Sequence, residues 1–312
     1  PPVIPSDNPQ TIEGVALGKR LFFDRILSSD QSISCASCHR PQNAFTDDSP
    51  TSSGVDGIFG ERNSMPIFNL AWNYNERFAW DGKELSLERQ ALEPVENPIE
   101  MHSDWDNVVD RLSNHPEYPE LFKRAFNTTS ITKELTTKAI AQFERTLISA
   151  NSKFDRYSLG LAILTPQEIN GLDVFLREDK GDCFHCHAEP IFGSFGSLQF
   201  SNNGLDSNIV TGTGREGVTN NPNDRGKFKI PTLRNIEFSF PYMHDGRFQS
   251  LAEVIEHYNI GGHWSPTIDE NMKAVGVGKN WSPYEKAALI DFMKTLTDYE
   301  FLADTTFSDP FK

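Results

Sequence analysis

All four cysteines of this 312-residue chain fall in two copies of one pattern, Cys35-Ala36-Ser37-Cys38-His39 and Cys183-Phe184-His185-Cys186-His187. Two thiols three positions apart on one turn can each form a thioether to a haem vinyl group, which leaves the following histidine under the iron as axial ligand. The spacing reads as two c-type haem sites, one held by Cys35, Cys38 and His39, the other by Cys183, Cys186 and His187. Zinc, the usual competitor for such motifs, pairs them at about 12 to 20 residues. Here 148 positions separate His39 from His187, and each copy carries its own histidine. A disulfide framework is a poor fit to a chain long enough to bury a sizeable core.

One motif in each half suits two domains of ordinary size, an N-terminal one over 1–150 and a C-terminal one over 151–312. Helical periodicity and capping signals mark Thr11 to Phe23, Asp106 to Leu112, Thr132 to Leu147, Thr165 to Leu176, Ser250 to Tyr258 and Ser282 to Leu296. Strand alternation is sparse, and Pro50 to Asn63 and Phe192 to Lys229 read as long ordered loops against which a haem can bury side chains such as Phe192, Phe195 and Phe200. The expectation is a mainly α protein of two cytochrome c-like haem domains, related by a pseudo-twofold. Apolar runs are too short to span a bilayer. The net charge of −15 disfavours nucleic acid and anionic membranes and suits a partner with a basic docking face. Covalent haem is attached outside the bacterial cytoplasm. A periplasmic chain is therefore expected, its export signal removed ahead of Pro1-Pro2-Val3-Ile4-Pro5.

A weak internal repeat divides the two irons. Ala79-Trp80-Asp81-Gly82-Lys83-Glu84-Leu85-Ser86-Leu87 matches Met243-His244-Asp245-Gly246-Arg247-Phe248-Gln249-Ser250-Leu251 at an offset of 164, which sets Pro94 opposite Tyr258. Proline cannot ligate iron and tyrosine can. An electron-relay haem wants both axial positions filled, whereas one that activates peroxide needs an open face. For the second haem Tyr258 is the first candidate for the distal position, with His257, Met243 and Met272 as alternatives. For the first, no histidine occurs between His39 and His102, so the long loop after the motif has no imidazole to offer and Met65 as its only soft donor, and an open or water-bound face is expected. Glu100 suits general acid/base work on a bound peroxide. The other histidines, His115, His185, His263, His244 and His102, read as exposed or as ordering their neighbours.

The chain also resembles the bacterial dihaem cytochrome c peroxidase family, which includes MauG. The resemblance covers nearly its whole length. It is carried by Leu17-Gly18-Lys19-Arg20-Leu21-Phe22-Phe23-Asp24, Arg62-Asn63-Ser64, Trp80-Asp81-Gly82, Glu100-Met101-His102-Ser103, Pro231-Thr232-Leu233-Arg234-Asn235 and Pro241-Tyr242-Met243-His244-Asp245-Gly246. It implies a peroxidatic haem at His39 with Glu100 and Gln90 in its distal pocket, and an electron-transfer haem at His187. It also implies a relay at Trp80, a calcium ion held by Asn63 with the carbonyls of Ser239 and Pro241, and frequent homodimers. Many members carry a histidine in the loop occupied here by Thr51 to Gly57, and most have methionine where Tyr258 stands. These departures, with Pro94, resemble the MauG branch.

The expected activity is reduction of hydrogen peroxide, with electrons from a small cytochrome c or cupredoxin passing from the C-terminal to the N-terminal haem. MauG-like oxidation of residues on a partner protein is the alternative, and a non-catalytic dihaem electron carrier the third.

Overall fold

The computed structural model describes residues 1–187, 200–209, 213–272 and 274–312, so Phe192 and Phe195 lie outside the described residues. The chain is mainly helical, and its only sheet among those residues is the two-residue antiparallel pair Phe200–Ser201 with Phe228–Lys229. It forms two compact units, one of 1–78, 84–148 and 303–312, the other of 79–83 and 149–302. A single cut at 150 misses two exchanges. The tail joins the first unit, where Lys19 Nζ donates to Thr306 O at 2.8 Å and Phe307 meets Phe45 at 6.3 Å. Residues 79–83 join the second, where Trp80 O accepts from Lys229 N at 2.7 Å.

In the first unit the helices are α1 (Ile12–Phe23), α2 (Cys35–Cys38), α3 (Leu87–Gln90), α4 (Glu93–Glu96), α5 (Trp105–Asn114), α6 (Tyr118–Phe126) and α7 (Lys133–Glu144). The second unit holds α8 (Lys153–Ser158), α9 (Pro166–Leu176), α10 (Glu216–Thr219), α11 (Leu251–Asn259) and α12 (Pro283–Lys294), and α13 (Tyr299–Ala303) runs to its end. The six helices legible in the sequence are all present, begun by side-chain caps at Thr11, Asp104, Thr132, Thr165, Ser250 and Ser282. α6 was not expected, although Tyr118 and Phe122 give it a buried face and Asn127 in the left-handed region ends it.

Each unit is built on one helix crossing, α1 on α7 and α9 on α12. Both crossings need a residue without a Cβ. A methyl on Gly18 would sit 1.8 Å from Ala139 O and one on Gly171 2.0 Å from Ala288 O, with Phe143 and Phe292 next in line. Those phenylalanines continue into the cores, Phe143 to Phe22 at 5.3 Å and Phe292 to Phe154 and Phe175 at 5.4 and 5.3 Å.

The repeated turn agrees at the same offset of 164. Phe78 bridges Glu84 as Tyr242 bridges Phe248, Ala79 and Met243 have φ of 65° and 75°, and Gly82 and Gly246 both have 68°. Ser86 and Ser250 then cap the following helices. The halves diverge next: α11 runs unbroken to Asn259, whereas the first copy stops at Gln90 and restarts as α4 around Pro94. Proline lacks the N–H that a continuous helix would use at that point.

Gly171→Ala is expected to force the α9–α12 backbones apart and to cost about 1–3 kcal/mol or more, read by denaturant unfolding. The buried Arg234 guanidinium grips Asp155 at 2.7 and 2.5 Å. Burial alone would raise that carboxyl, but Arg234 outweighs it and holds Asp155 below the ordinary range. A depressed carboxylate stabilises the fold above its unfolded value near 3.8 and loses that contribution as pH falls through the folded value. Arg234→Ala therefore destabilises by about 3–5 kcal/mol at neutral pH, with a smaller difference in acid.

Candidate functional site: two haem cradles

In the first unit α2 carries Cys35 and Cys38 on one turn, and His39 caps it. None of the four cysteines is in a disulfide. His39 Nδ1 lies 3.0 Å from Phe45 O. A carbonyl can only accept, so the proton sits on Nδ1 and the Nε2 lone pair remains for a metal. Burial lowers the His39 pKa, which keeps the ring neutral as a ligand must be. The partner is set by the core: Phe45 is 1% exposed, packs 6.4 Å from Phe22, and follows Ala44, both at positive φ (57° and 53°). Two consecutive left-handed residues are costly, and here they aim one carbonyl at the imidazole.

In the same unit Glu100 lies in a turn that starts at Asn97, whose Nδ2 donates to Glu100 Oε1 at 2.7 Å. Burial raises the pKa values of both Cys35 and Cys38, and the charge of Glu100 adds a smaller upward push to each. Pro94 O holds the same turn through Met101 N at 3.1 Å. Gln90, at the end of α3, has its Oε1 buried with no hydrogen-bond partner. The loop at 51–57 is pinned on this turn: Val55 N donates to Glu100 O at 2.9 Å, and Asp56 Oδ2 lies 2.6 Å from His102 Nδ1. A Cβ on Gly54 would meet Ile99 O at 2.3 Å. His102 is thus engaged by Asp56. Met65 is half-buried in the same unit.

In the second unit a cavity of about 180 Å³ is cut into the core, bounded by Cys183, Cys186, His187, Tyr258, Met243 and Met272 among others. His187 Nδ1 lies 3.2 Å from Pro231 O, so the carbonyl argument applies again, and burial pushes its pKa down to about 4. Tyr258 projects from α11 and packs on the cluster of Phe154, Phe175, Phe292 and their neighbours. Burial pushes its phenol up to about 12, opposed by a hydrogen bond from Asn203 Nδ2 at 3.3 Å. His257 is set apart from the other distal candidates, since its Nε2 lies 3.0 Å from Asn203 O and it is not part of the cavity wall.

Trp80 also faces this cavity, with its ring 6.4 Å from His244, which stacks on Phe228 at 3.6 Å. His185 pairs with Asp182 and His115 packs on Tyr118 at 4.9 Å. For the calcium set, Asn63 is buried in the first unit, its amide donating to Ser49 O and Pro50 O at 3.3 and 3.1 Å. Ser239 and Pro241 belong to the second unit.

Both cradles suit a haem. Each pairs two thiols with a neutral imidazole whose Nε2 is left to a metal; the second cavity also has an orphaned buried donor in its wall, Trp281 Nε1, and the first unit contains one orphaned buried acceptor at Gln90 Oε1. Lys229 and Lys279, whose ammonium groups can pair with haem propionates, also face the second cavity, and burial lowers Lys229 to about 8. Phe45, Asn203, Trp281, the two lysines and the carbonyl role of Pro231 were not apparent in the sequence, because carbonyl partners and inward lysines leave no periodic trace.

The Di-haem cytochrome c peroxidase family profile matches residues 12–162. The chain is 37% identical to methylamine utilization protein MauG of Methylorubrum extorquens over 94% of its own length and 80% of that protein. It is 34% identical to cytochrome c551 peroxidase of Nitrosomonas europaea, over 93% and 81%. A solved MauG-like protein associated with microbial copper homeostasis superposes with a TM-score of 0.89 at 34% identity, over all of this chain and 97% of that one. The diheme peroxidase BthA of Burkholderia thailandensis, at 22% identity and a TM-score of 0.78, shares the fold. The chain therefore belongs to the dihaem cytochrome c peroxidase family, oxidoreductases with two c-type haems that include MauG.

Proposed function

We propose that this enzyme cleaves hydrogen peroxide at the haem held by Cys35, Cys38 and His39, whose distal face is left open, and exchanges electrons through the haem held by Cys183, Cys186, His187 and Tyr258. The observation that carries this is the pinned loop: Val55 and Asp56 fix it to the Glu100 turn, and Thr51 to Gly57 contain no imidazole or thioether. A loop so held has nothing with which to close the first iron.

The haems supply the redox equivalents, two electrons for each peroxide. Asn97 orients the Glu100 carboxylate, which takes a proton from the near peroxide oxygen and delivers it to the leaving one. Gln90, with its unpartnered amide oxygen, can accept a hydrogen bond from the peroxide and orient it. With two further protons and two electrons, one peroxide gives two waters. Trp80 is the relay for those electrons. Glu100→Gln leaves the peroxide encounter intact and slows O–O cleavage by about 100-fold or more in stopped-flow mixing. An unchanged rate removes Glu100 from the mechanism.

A second reading concerns the electron source. A phenolate at the second iron stabilises the oxidised state, which makes ordinary high-potential donors poor reductants. Tyr258 thus favours MauG-like oxidation of a partner protein over turnover with a cytochrome c or cupredoxin. Steady peroxide reduction with a reduced small cytochrome supports the peroxidase arm. Peroxide consumption that proceeds only with a protein substrate supports the other.

Calcium at Asn63, Ser239 and Pro241, a periplasmic location and a homodimer accompany this reading as family-based proposals. No described helix is long and apolar enough to cross a membrane.

A further inference from the structure

A phenol oxygen and a thioether sulfur, donors of different character, converge on one amide. Asn203 Nδ2 lies 3.3 Å from Tyr258 Oη and 3.4 Å from Met243 Sδ, and all three residues face the cavity that holds His187. An amide nitrogen carries two hydrogens, so one can go to the oxygen and the other to the sulfur. The segment that presents it is firmly set. Asn203 O pairs with His257 Nε2 at 3.0 Å, and buried Asn202 donates to Ser265 Oγ and Thr267 Oγ1, both at 3.0 Å, while its Oδ1 accepts from Gly204 N at 3.0 Å.

Resting on the reading of Tyr258 as sixth ligand, we propose that Asn203 is a positioning residue that selects oxygen over sulfur at the second iron, with Met243 the reserve ligand it holds back. The two acceptors respond differently to the same donor. A phenolate oxygen can accept one hydrogen bond and keep lone pairs for a metal, and the bond stabilises its anionic form. A thioether sulfur is a weak acceptor on a flexible stem, and a hydrogen bond anchors it away from other partners. Without the amide, sulfur is released while the phenolate loses its support. In the loaded protein Met243 would then replace Tyr258 as the group holding the second iron, with the freed phenolate taking a proton from solvent. Reduction favours it, because softer ferrous iron prefers thioether.

The test is Asn203→Leu and, as a second neutral variant, Asn203→Ala, both in the full dihaem protein. Neither touches the backbone carbonyl that meets His257. Redox titration of the second haem is expected to shift toward the ferrous state by tenfold or more, which is 59 mV for one electron. The ferric thioether charge-transfer band is expected to appear, and adding Met243→Leu is expected to remove it. A wild-type potential with an unchanged phenolate spectrum in both variants overturns the proposal, as does a thioether band that survives loss of Met243. If Tyr258→Phe leaves the wild-type spectrum unaltered, the ligand reading itself is wrong and this proposal falls with it.

Discussion

The hydrogen bond between each attachment histidine and a backbone carbonyl is the constraint on which the rest depends. Without Phe45 O at 3.0 Å and Pro231 O at 3.2 Å, either ring could rotate or carry its proton on the wrong nitrogen. With them, both present one neutral donor along one direction. The fold arranges this in two ways. The first carbonyl is six residues away, in a strained turn clamped by the α1–α7 core, and the second is 44 residues away, beside the Ile230 and Leu233 wall of the cavity.

The duplicated scaffold explains why the irons can differ without either unit failing. Glycine crossings at Gly18 and Gly171 and matched turns at 78–84 and 242–248 keep the architecture common to both. Divergence is confined to the segment after the shared serine cap. An unbroken helix carries Tyr258 into the second cavity, whereas the helix interrupted at Pro94 gives a turn that carries Glu100. On the proposed reading, a break in one helix separates an electron-transfer site from a catalytic one.

Much of this was legible in the residues. The motif spacing, the six capped helices, the repeat and the Pro94–Tyr258 exchange are all local signals, and local signals survive in sequence. The exchanged segments 79–83 and 303–312 were not legible, because their placement rests on contacts with residues far away in sequence, such as Lys229 N to Trp80 O and Phe307 on Phe45. Asn203 was missed for the same reason: nothing in Asn202-Asn203-Gly204 marks it, and its role appears only when Tyr258 and Met243 are brought to it.

The asymmetry of the two irons is tested most directly by EPR of the resting oxidised protein, with the signals integrated. One high-spin ferric haem and one low-spin haem in equal amounts are predicted, matching an open face above His39 and a filled one above His187. Two low-spin signals of equal weight, with no high-spin component, would contradict the account.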